Sequence, residues 1–204
     1  MVNGISYEIV PELNPRVAPR GKLPFIIHKG QKISDSDLIL DYLEQEFKLN
    51  LNEGLSDESR ALGSAVEIIC NEHLYFLTLY YRYLVAENFK CLSEIFFSRL
   101  KFPLSQIMPR VLHSTVQKQL NGQGVGRMSY EEVSKTSVRA IDSLEGLLGD
   151  NSFFTGQKLC RADYSAFAHL ANILYPPFES PLKDYLKSRS KLVGYVDRIK
   201  SYYF

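Results

Sequence analysis

The stretch that decides the fold reads RGKLPFIIHKGQKISDSDLILDYLEQE and runs from Arg20 to Glu46. Pro24 opens a short apolar run, Phe25–Ile27, which ends in a turn-like cluster of polar residues and a glycine. Lys32 and Ile33 then read as a second short strand, so the pattern predicts a β-hairpin. A helix follows at once, because positions 34–36 offer three good N-cap residues. The apolar face of this helix has helical spacing and consists of Leu38, Ile39, Tyr42 and Leu43.

Composition excludes several classes of function. The chain has 204 residues, of which 45% are hydrophobic, and this is ample for a core. Its 24 basic and 23 acidic residues leave a net charge of +1. A chain this close to neutral has no strong positive potential to attract nucleic acid, so we expect no nucleic-acid partner. The longest uncharged apolar run, Leu74–Tyr81, is far too short to cross a bilayer, so we expect no membrane span.

Three cysteines, Cys70, Cys91 and Cys160, form no Cys-x-x-Cys pair and leave an odd count. This usage favours a reducing compartment over a disulfide framework, and we expect a cytoplasmic protein. The four histidines show no His-x₃-His spacing and do not combine with the cysteines, so no metal site is expected.

Two domains are expected, one of residues 1–48 and one of residues 55–204. In the first, Ile5–Val10 alternates apolar and polar residues and stops at Pro11, which predicts a half-buried strand. The stretch Phe47–Gly54 is polar and reads as a linker. The chain then becomes helical, and Ser56 is the expected cap of its first long helix. The predicted apolar stripe of that helix is Leu62, Val66, Ile69, His73, Phe76 or Leu77, Tyr80 and Leu84.

The later helices are less evenly marked. Phe89–Leu100 reads as a short helix or an ordered loop, and Pro103 suits the first turn of the next helix. Ser129 and Glu132 have the spacing of a capping box. Further helices are expected at about 161–174, 181–188 and 192–202. The apolar face of the helix after Pro103 is expected at Leu104, Ile107, Met108, Val111, Leu112 and Val116.

The Gly-Lys-Leu-Pro sequence, the hairpin and Asp35-Ser36 at a helix start resemble the second half of a glutathione-transferase-type thioredoxin-fold domain. Ile33–Ile39 and Gly122–Arg127 are similar to the group that contains the failed-axon-connections proteins, with metaxins as more distant relatives. The resemblance covers nearly the whole chain from Ile5. It implies an α+β N-terminal domain, partial and thioredoxin-like, followed by an all-α domain like the C-terminal domain of glutathione S-transferases.

The resemblance also implies a ligand, glutathione. A cis Pro24 would leave the Leu23 backbone free to pair with a bound peptide, although a proline before a strand is also an ordinary strand opener. Ser36 would hold the γ-glutamyl carboxylate and Asp35 its ammonium group, although helix capping alone explains both residues. Lys22 or Arg20 would meet a ligand carboxylate, although surface lysines beside a strand usually have no specific role.

The expected function is binding of glutathione or another small thiol ligand, with transferase activity implied by the resemblance. In the family, the thiol-activating Ser, Tyr or Cys lies in a strand and helix that would precede Ile5, so no catalytic residue can be assigned here. The alternative is a non-catalytic interaction module of the failed-axon-connections and metaxin type. A homodimer or a protein partner is expected in that case.

Three other motifs have competing interpretations. Gly122-x-Gly-x-Gly126 is better explained as a turn between helices than as a phosphate loop, because it follows no strand. Cys160-Arg-Ala-Asp163 matches a capping box in which cysteine replaces the hydroxyl residue; the alternative is a reactive thiol with a lowered pKa. A dense aromatic set borders a co-substrate pocket by resemblance, but such residues are more often core or interface. This set is Tyr75, Phe76, Tyr80, Tyr81 and Tyr83.

Overall fold

The computed structural model describes residues 4–12, 17–21 and 23–203. Its contacts divide the chain into two compact units at the junction between Gly54 and Leu55. The first unit contains strands β1 (Phe25–His28) and β2 (Gln31–Ser34) and helix α1 (Ser36–Phe47). The second unit is helical throughout its regular structure. The predicted class, an α+β half followed by an all-α half, is confirmed.

The predicted hairpin is confirmed in detail. β1 and β2 are antiparallel, with Phe25 opposite Ser34 and His28 opposite Gln31. The two turn residues, Lys29 and Gly30, both have positive φ, as a two-residue turn requires to match the twist of its strands. Turn geometry therefore fixes the register that brings Ser34 and the start of α1 to the open end of the hairpin.

Helix α1 is tied to the hairpin by polar contacts. The Nδ1 atom of His28 lies 2.7 Å from the hydroxyl oxygen of Tyr42, and Lys29 pairs with Glu46. The His28 ring also lies against that of Phe47, with 5.5 Å between centroids. These contacts on successive turns of α1 set the direction of the helix from its N-terminus at the open end of the hairpin.

The strand predicted at Ile5–Val10 is wrong. Residues 4–12 form no regular structure, and Tyr7, Ile9 and Val10 are all more than half exposed. Alternation supplies an apolar face, but a strand also needs hydrogen bonds to a neighbouring strand. In the described part of the chain, β1 and β2 pair only with each other. The alternation at 5–10 therefore has no partner to hold it extended.

The helices of the second unit follow the predicted order. The segment Phe89–Leu100, for which the sequence allows a helix or an ordered loop, lies mostly in a helix. The unit contains α2 (Asp57–Ile68), a π-helical turn (Ile69–Leu74), α3 (Tyr75–Leu84), α4 (Ala86–Phe97), α5 (Leu104–Gln123), a 3₁₀ turn (Val125–Arg127), α6 (Tyr130–Leu148), α7 (Arg161–Leu174), α8 (Pro181–Lys187) and α9 (Ser190–Tyr203).

The predicted apolar stripe of the first long helix is correct at Val66 and at Leu77, one of its two alternatives, and is displaced by one residue elsewhere. After Val66 the buried positions are Cys70, Leu74, Leu77, Leu79 and Tyr81, whereas positions 69, 73 and 80 are only half-buried. A π-helical turn, which accommodates one more residue than an α turn, lies within this stretch at Ile69–Leu74. The stripe predicted for α5 is also largely wrong, since only its last member, Val116, is buried.

The glycine-rich motif is a turn between helices, as predicted. Helix α5 ends at Gln123, whose side-chain oxygen accepts a hydrogen bond from the Val125 N–H at 3.0 Å. Gly124 takes a φ of 116°, which a side chain would disfavour. The capping box at the start of α6 is confirmed as well, with Ser129 and Glu132 bonded reciprocally.

The box at the start of α7 forms around a fully buried carboxylate. Asp163 accepts hydrogen bonds from the N–H groups of Cys160 at 2.9 Å and Phe154 at 3.1 Å. Burial raises the pKa of the Cys160 thiol to about 11, and Asp163 adds to this effect. The alternative of a thiol with a lowered pKa is therefore wrong, because loss of hydration outweighs the helix N-terminus.

Candidate functional site

The open end of the β-hairpin carries Leu23 and Pro24 immediately before β1. The peptide bond between them is cis, as predicted. The ladder begins only with Phe25 opposite Ser34, so Leu23 lies outside it. Among the described residues, the Leu23 peptide has no backbone hydrogen-bond partner, and the residue is exposed. An unpaired backbone at a sheet end can accept an added peptide strand.

Asp35 follows β2 at the same end and caps α1. Of the three predicted cap residues the structure selects this one, whose carboxylate accepts a hydrogen bond from the Asp37 N–H at 3.3 Å. Its backbone has φ 80° and ψ 128°, a conformation that side chains disfavour. Ser36 is the first residue of α1 and is exposed.

Arg20 faces this cap. Its guanidinium Nη1 lies 3.9 Å from the Asp35 Oδ2, and both side chains are largely exposed. Arg20 lies in a turn that is closed by a 3.0 Å hydrogen bond from the Gly21 N–H to the Ala18 carbonyl oxygen. Ala18 itself is buried. Lys22, the other predicted cation, lies outside the described residues.

The arrangement combines charges of both signs within a few ångströms. The first N–H groups of α1 and the positive end of its dipole attract a carboxylate, and the Ser36 hydroxyl adds a donor. The Asp35 carboxylate attracts an ammonium group, and Arg20 is a second cation. Such a set can bind the zwitterionic end of an amino acid or γ-glutamyl compound.

Sequence reasoning named these residues but missed one property of the site. The positive φ of Asp35 has no reliable signal in the sequence, because glycine is the usual residue there. Aspartate is enriched among the non-glycine exceptions, but this preference is too weak to single out one position.

The aromatic set is packing of the helical unit. Tyr81 is buried, and Tyr75, Phe76, Tyr80 and Tyr83 are half-buried. Edge-to-face contacts join Tyr75 to Phe76 and Tyr80 to Tyr81. These contacts match the interpretation of the set as core rather than as an open pocket.

The described residues hold no group of three or more His, Cys, Asp or Glu side chains that could bind a metal ion. Within the same ranges, none of the helices combines the length and apolar character needed to cross a membrane.

Comparison with known families matches both halves of the chain. Residues 1–88 match the glutathione S-transferase N-terminal domain. Residues 138–199 match the glutathione S-transferase C-terminal domain. The structure is similar to that of the beta-etherase LigF from Sphingobium sp. strain SYK-6, with a TM-score of 0.57 and 20% identity. That likeness covers 91% of this chain and 76% of the other and concerns the fold.

Several proteins with longer sequences are similar to this chain over most of its length. The isoprene-epoxide–glutathione S-transferase of Rhodococcus sp. (strain AD45) is 29% identical over 91% of this chain and 79% of its own length. Failed axon connections of Drosophila melanogaster is 27% identical over 97% of this chain, which spans half of that protein. Metaxin-1 of Mus musculus is 25% identical, over 98% of this chain and 66% of its own. The chain belongs to the glutathione S-transferase-like proteins related to failed axon connections and the metaxins.

Proposed function

We propose that the open end of the β-hairpin binds glutathione or a related small γ-glutamyl thiol. The observation that carries the proposal is the position of Asp35, which caps α1 in a disfavoured backbone conformation and faces Arg20 at 3.9 Å. Capping alone does not require that conformation, because good N-caps have extended backbones, as Ser56 does at the start of α2.

Each charged part of the ligand has a counterpart. The γ-glutamyl carboxylate lies at the N-terminus of α1, where the Ser36 hydroxyl donates to it. The ammonium group pairs with Asp35. The Leu23 N–H and C=O bond the ligand's peptide backbone, as in the addition of a short strand. Arg20 and Lys22 supply positive charge for the terminal carboxylate, the assignment of Lys22 resting on family resemblance.

The conformation of Asp35 supports a binding role. A residue held at a φ near 80° costs about 1–3 kcal/mol of folding free energy, and such residues cluster at ligand sites. One relative supports the choice of ligand, since its name states a glutathione S-transferase. The proposal covers binding; the contacts named here hold the peptide part of the ligand and do not activate its sulfur.

Calorimetric titration with glutathione tests the proposal. We expect the wild type to bind and the double variant Asp35→Ala, Ser36→Ala to lose binding. Ser56→Ala is the matched control, since it removes a helix cap in the other unit and should leave affinity unchanged. Absence of binding by the folded wild-type protein would overturn the proposal.

A second variant separates binding from capping. Asp35→Asn keeps an oxygen that can cap α1 but removes the charge that pairs with the ammonium group. We expect unchanged folding and an affinity lowered about tenfold. The dipeptide cysteinylglycine, which has the thiol but lacks the γ-glutamyl group, should bind equally poorly to wild type and Asp35→Asn. An equal loss of glutathione affinity and stability would instead favour capping alone.

A second candidate function is docking of the helical unit onto another surface. The observation that favours it is a group of exposed apolar residues around the turn between α4 and α5.

A further inference from the structure

The turn between α4 and α5 carries an apolar surface without a partner in the described chain. We call the segment from Ile95 to Val111 the α4–α5 tip. On α5 its exposed residues are Leu104, Ile107, Met108 and Val111. Their spacing of three, one and three residues places them on one helix face, the kind of face that normally packs into a core.

The most exposed member lies at the turn itself. Phe102 is 79% exposed, and the neighbouring Leu100 is also exposed. Ile95 and Phe96 extend the apolar surface onto the end of α4. Exposed aromatic side chains thus lie at the end of α4 and in the turn that joins it to α5, and the two helices contact each other.

The charge of this region differs from that of the rest of the chain. Residues 95–130 contain five basic residues and no Asp or Glu. Subtracting these five charges from the net +1 of the chain leaves −4 for all other residues. Arg99, Lys101 and Arg110 lie within the tip, are exposed, and form no ion pair with any described residue.

We propose that the α4–α5 tip docks onto the surface of a lipid bilayer that contains anionic lipids. An apolar face flanked by basic residues has the pattern of a segment that inserts its apolar side chains at the level of the headgroups. The basic residues then meet anionic headgroups, and their contribution falls with salt. Phe102 is the residue placed to enter first.

The same charges disfavour a second copy of the chain as the occupant. A two-fold contact between two tips sets Arg99 and Lys101 of one molecule against those of the other. No acidic residue between 95 and 130 could neutralise them. The tip also lies between the two segments that match the transferase domains, residues 1–88 and 138–199.

A fluorescent probe tests the proposal directly, because the chain contains no tryptophan. Phe102→Trp and, as the control, Ile68→Trp each give a protein with a single tryptophan, at an exposed apolar position, whose emission is distinguished from that of the tyrosines by its longer wavelength. We expect the emission of Phe102→Trp to shift to shorter wavelength with vesicles of phosphatidylcholine and phosphatidylserine, and less with phosphatidylcholine alone. The control should not shift with either.

Vesicle flotation tests the contribution of the basic residues, with charge variants made in the chain without the tryptophan substitutions. The double variant Arg99→Glu, Lys101→Glu should bind the anionic vesicles with a partition coefficient at least 25-fold lower, because each basic residue contributes about fivefold. Lys158→Glu, which changes an exposed lysine of the same unit outside the tip, should change flotation far less. Added salt should release the wild type.

Three results would overturn the proposal. One is a wild-type chain that does not float with anionic vesicles while its far-ultraviolet circular dichroism shows a folded protein. Another is equal flotation with neutral and anionic vesicles. The third is a blue shift of Phe102→Trp that grows with protein concentration in the absence of vesicles, with a doubled mass in light scattering, which would assign the tip to a dimer.

Discussion

Tyr195 donates its hydroxyl hydrogen to the carboxylate of Asp163 over 3.0 Å, inside the helical unit, where both residues are fully buried. The same carboxylate binds the N–H groups of Phe154 and Cys160. One side chain thus joins the loop before α7, the first turn of α7, and α9. Burial raises the pKa of Asp163, although each of these hydrogen bonds opposes the shift.

Replacement of Asp163 should therefore be among the most destabilising changes in the chain. Asp163→Ala leaves two backbone N–H groups and the Tyr195 hydroxyl buried without partners. We expect a loss of about 3 kcal/mol in the free energy of unfolding. Tyr195→Phe removes one bond and should cost about 1 kcal/mol. Urea denaturation of both variants and their combination measures the coupling, and additive losses would contradict the shared role.

Cys160→Ser should stabilise the protein. Serine is a better N-cap than cysteine, and its hydroxyl can accept the N–H bond of the first turn of α7, with a gain of about 0.5–1 kcal/mol. Cys70→Ser is the matched control, because Cys70 is equally buried but lies inside a helix and caps nothing. That change should destabilise. A lower melting temperature for Cys160→Ser would contradict the prediction.

His169 should make stability depend on pH. Burial lowers its pKa to about 4, below the usual 6.5, so the folded state holds the imidazole neutral. Its contribution is fully present above pH 6.5 and is lost as the pH falls towards about 4. We expect a loss of about 2–3 kcal/mol between about pH 7 and about pH 4.

Urea denaturation across this range, with His169→Gln, measures the effect. Burial lowers the pKa of His73 too, so His73→Gln is measured alongside. The loss of stability on acidification should be reduced more by His169→Gln than by His73→Gln. An unchanged profile for His169→Gln would contradict the assignment.

Removing the backbone strain at Asp35 should raise the stability of the protein while abolishing its affinity for the ligand. Asp35→Gly removes a disfavoured conformation, at the cost of greater freedom in the unfolded chain and a weaker cap. We expect a net gain of about 1 kcal/mol together with lost glutathione affinity. Lys48→Gly, at the left-handed residue after α1, is the control that should stabilise without affecting affinity. A destabilised Asp35→Gly would show that this backbone is not strained.

The glycine-rich turn offers a matched pair. A Cβ atom on Gly126 would lie 2.5 Å from the Asn121 Oδ1 and 2.8 Å from its backbone N, so Gly126→Ala should destabilise by about 1–3 kcal/mol. A Cβ on Gly122 meets nothing within 4 Å, and Gly122→Ala in α5 should stabilise by up to ~1 kcal/mol. The melting temperatures of both variants test this prediction, and an equal change in melting temperature for the two would contradict the crowding at Gly126.

Local chemistry made much of this structure predictable. The capping box of Ser129 and Glu132 and the hairpin turn at Lys29 and Gly30 are each specified by residues that are close together in the sequence. Both features could therefore be predicted. The failure at Ile5–Val10 depended on a distant partner. Ile5–Val10 has the alternation of a strand but no strand beside it, and alternation carries no information about the neighbour.

The candidate site shows the same division. Leu23, Pro24, Asp35 and Ser36 could be named from sequence because the hairpin and the helix start are local features. The ion pair of Arg20 with Asp35 and the backbone conformation of Asp35 depend on how the preceding turn folds back, which residue types do not encode. Exposure of the apolar stripe on α5 was likewise hidden, because periodicity marks a face but not what covers it.

The π-helical turn between Ile69 and Leu74 acts as a one-residue insertion held inside a helix that otherwise runs from Asp57 to Leu84. Deleting a residue there would restore α-helical spacing, but it would rotate α2 by ~100° about its axis relative to α3. Val66 would leave the core, and the contacts of α2 with α7 would be lost. The length of this segment is thus fixed by packing, and natural insertions or deletions in this protein should fall outside it.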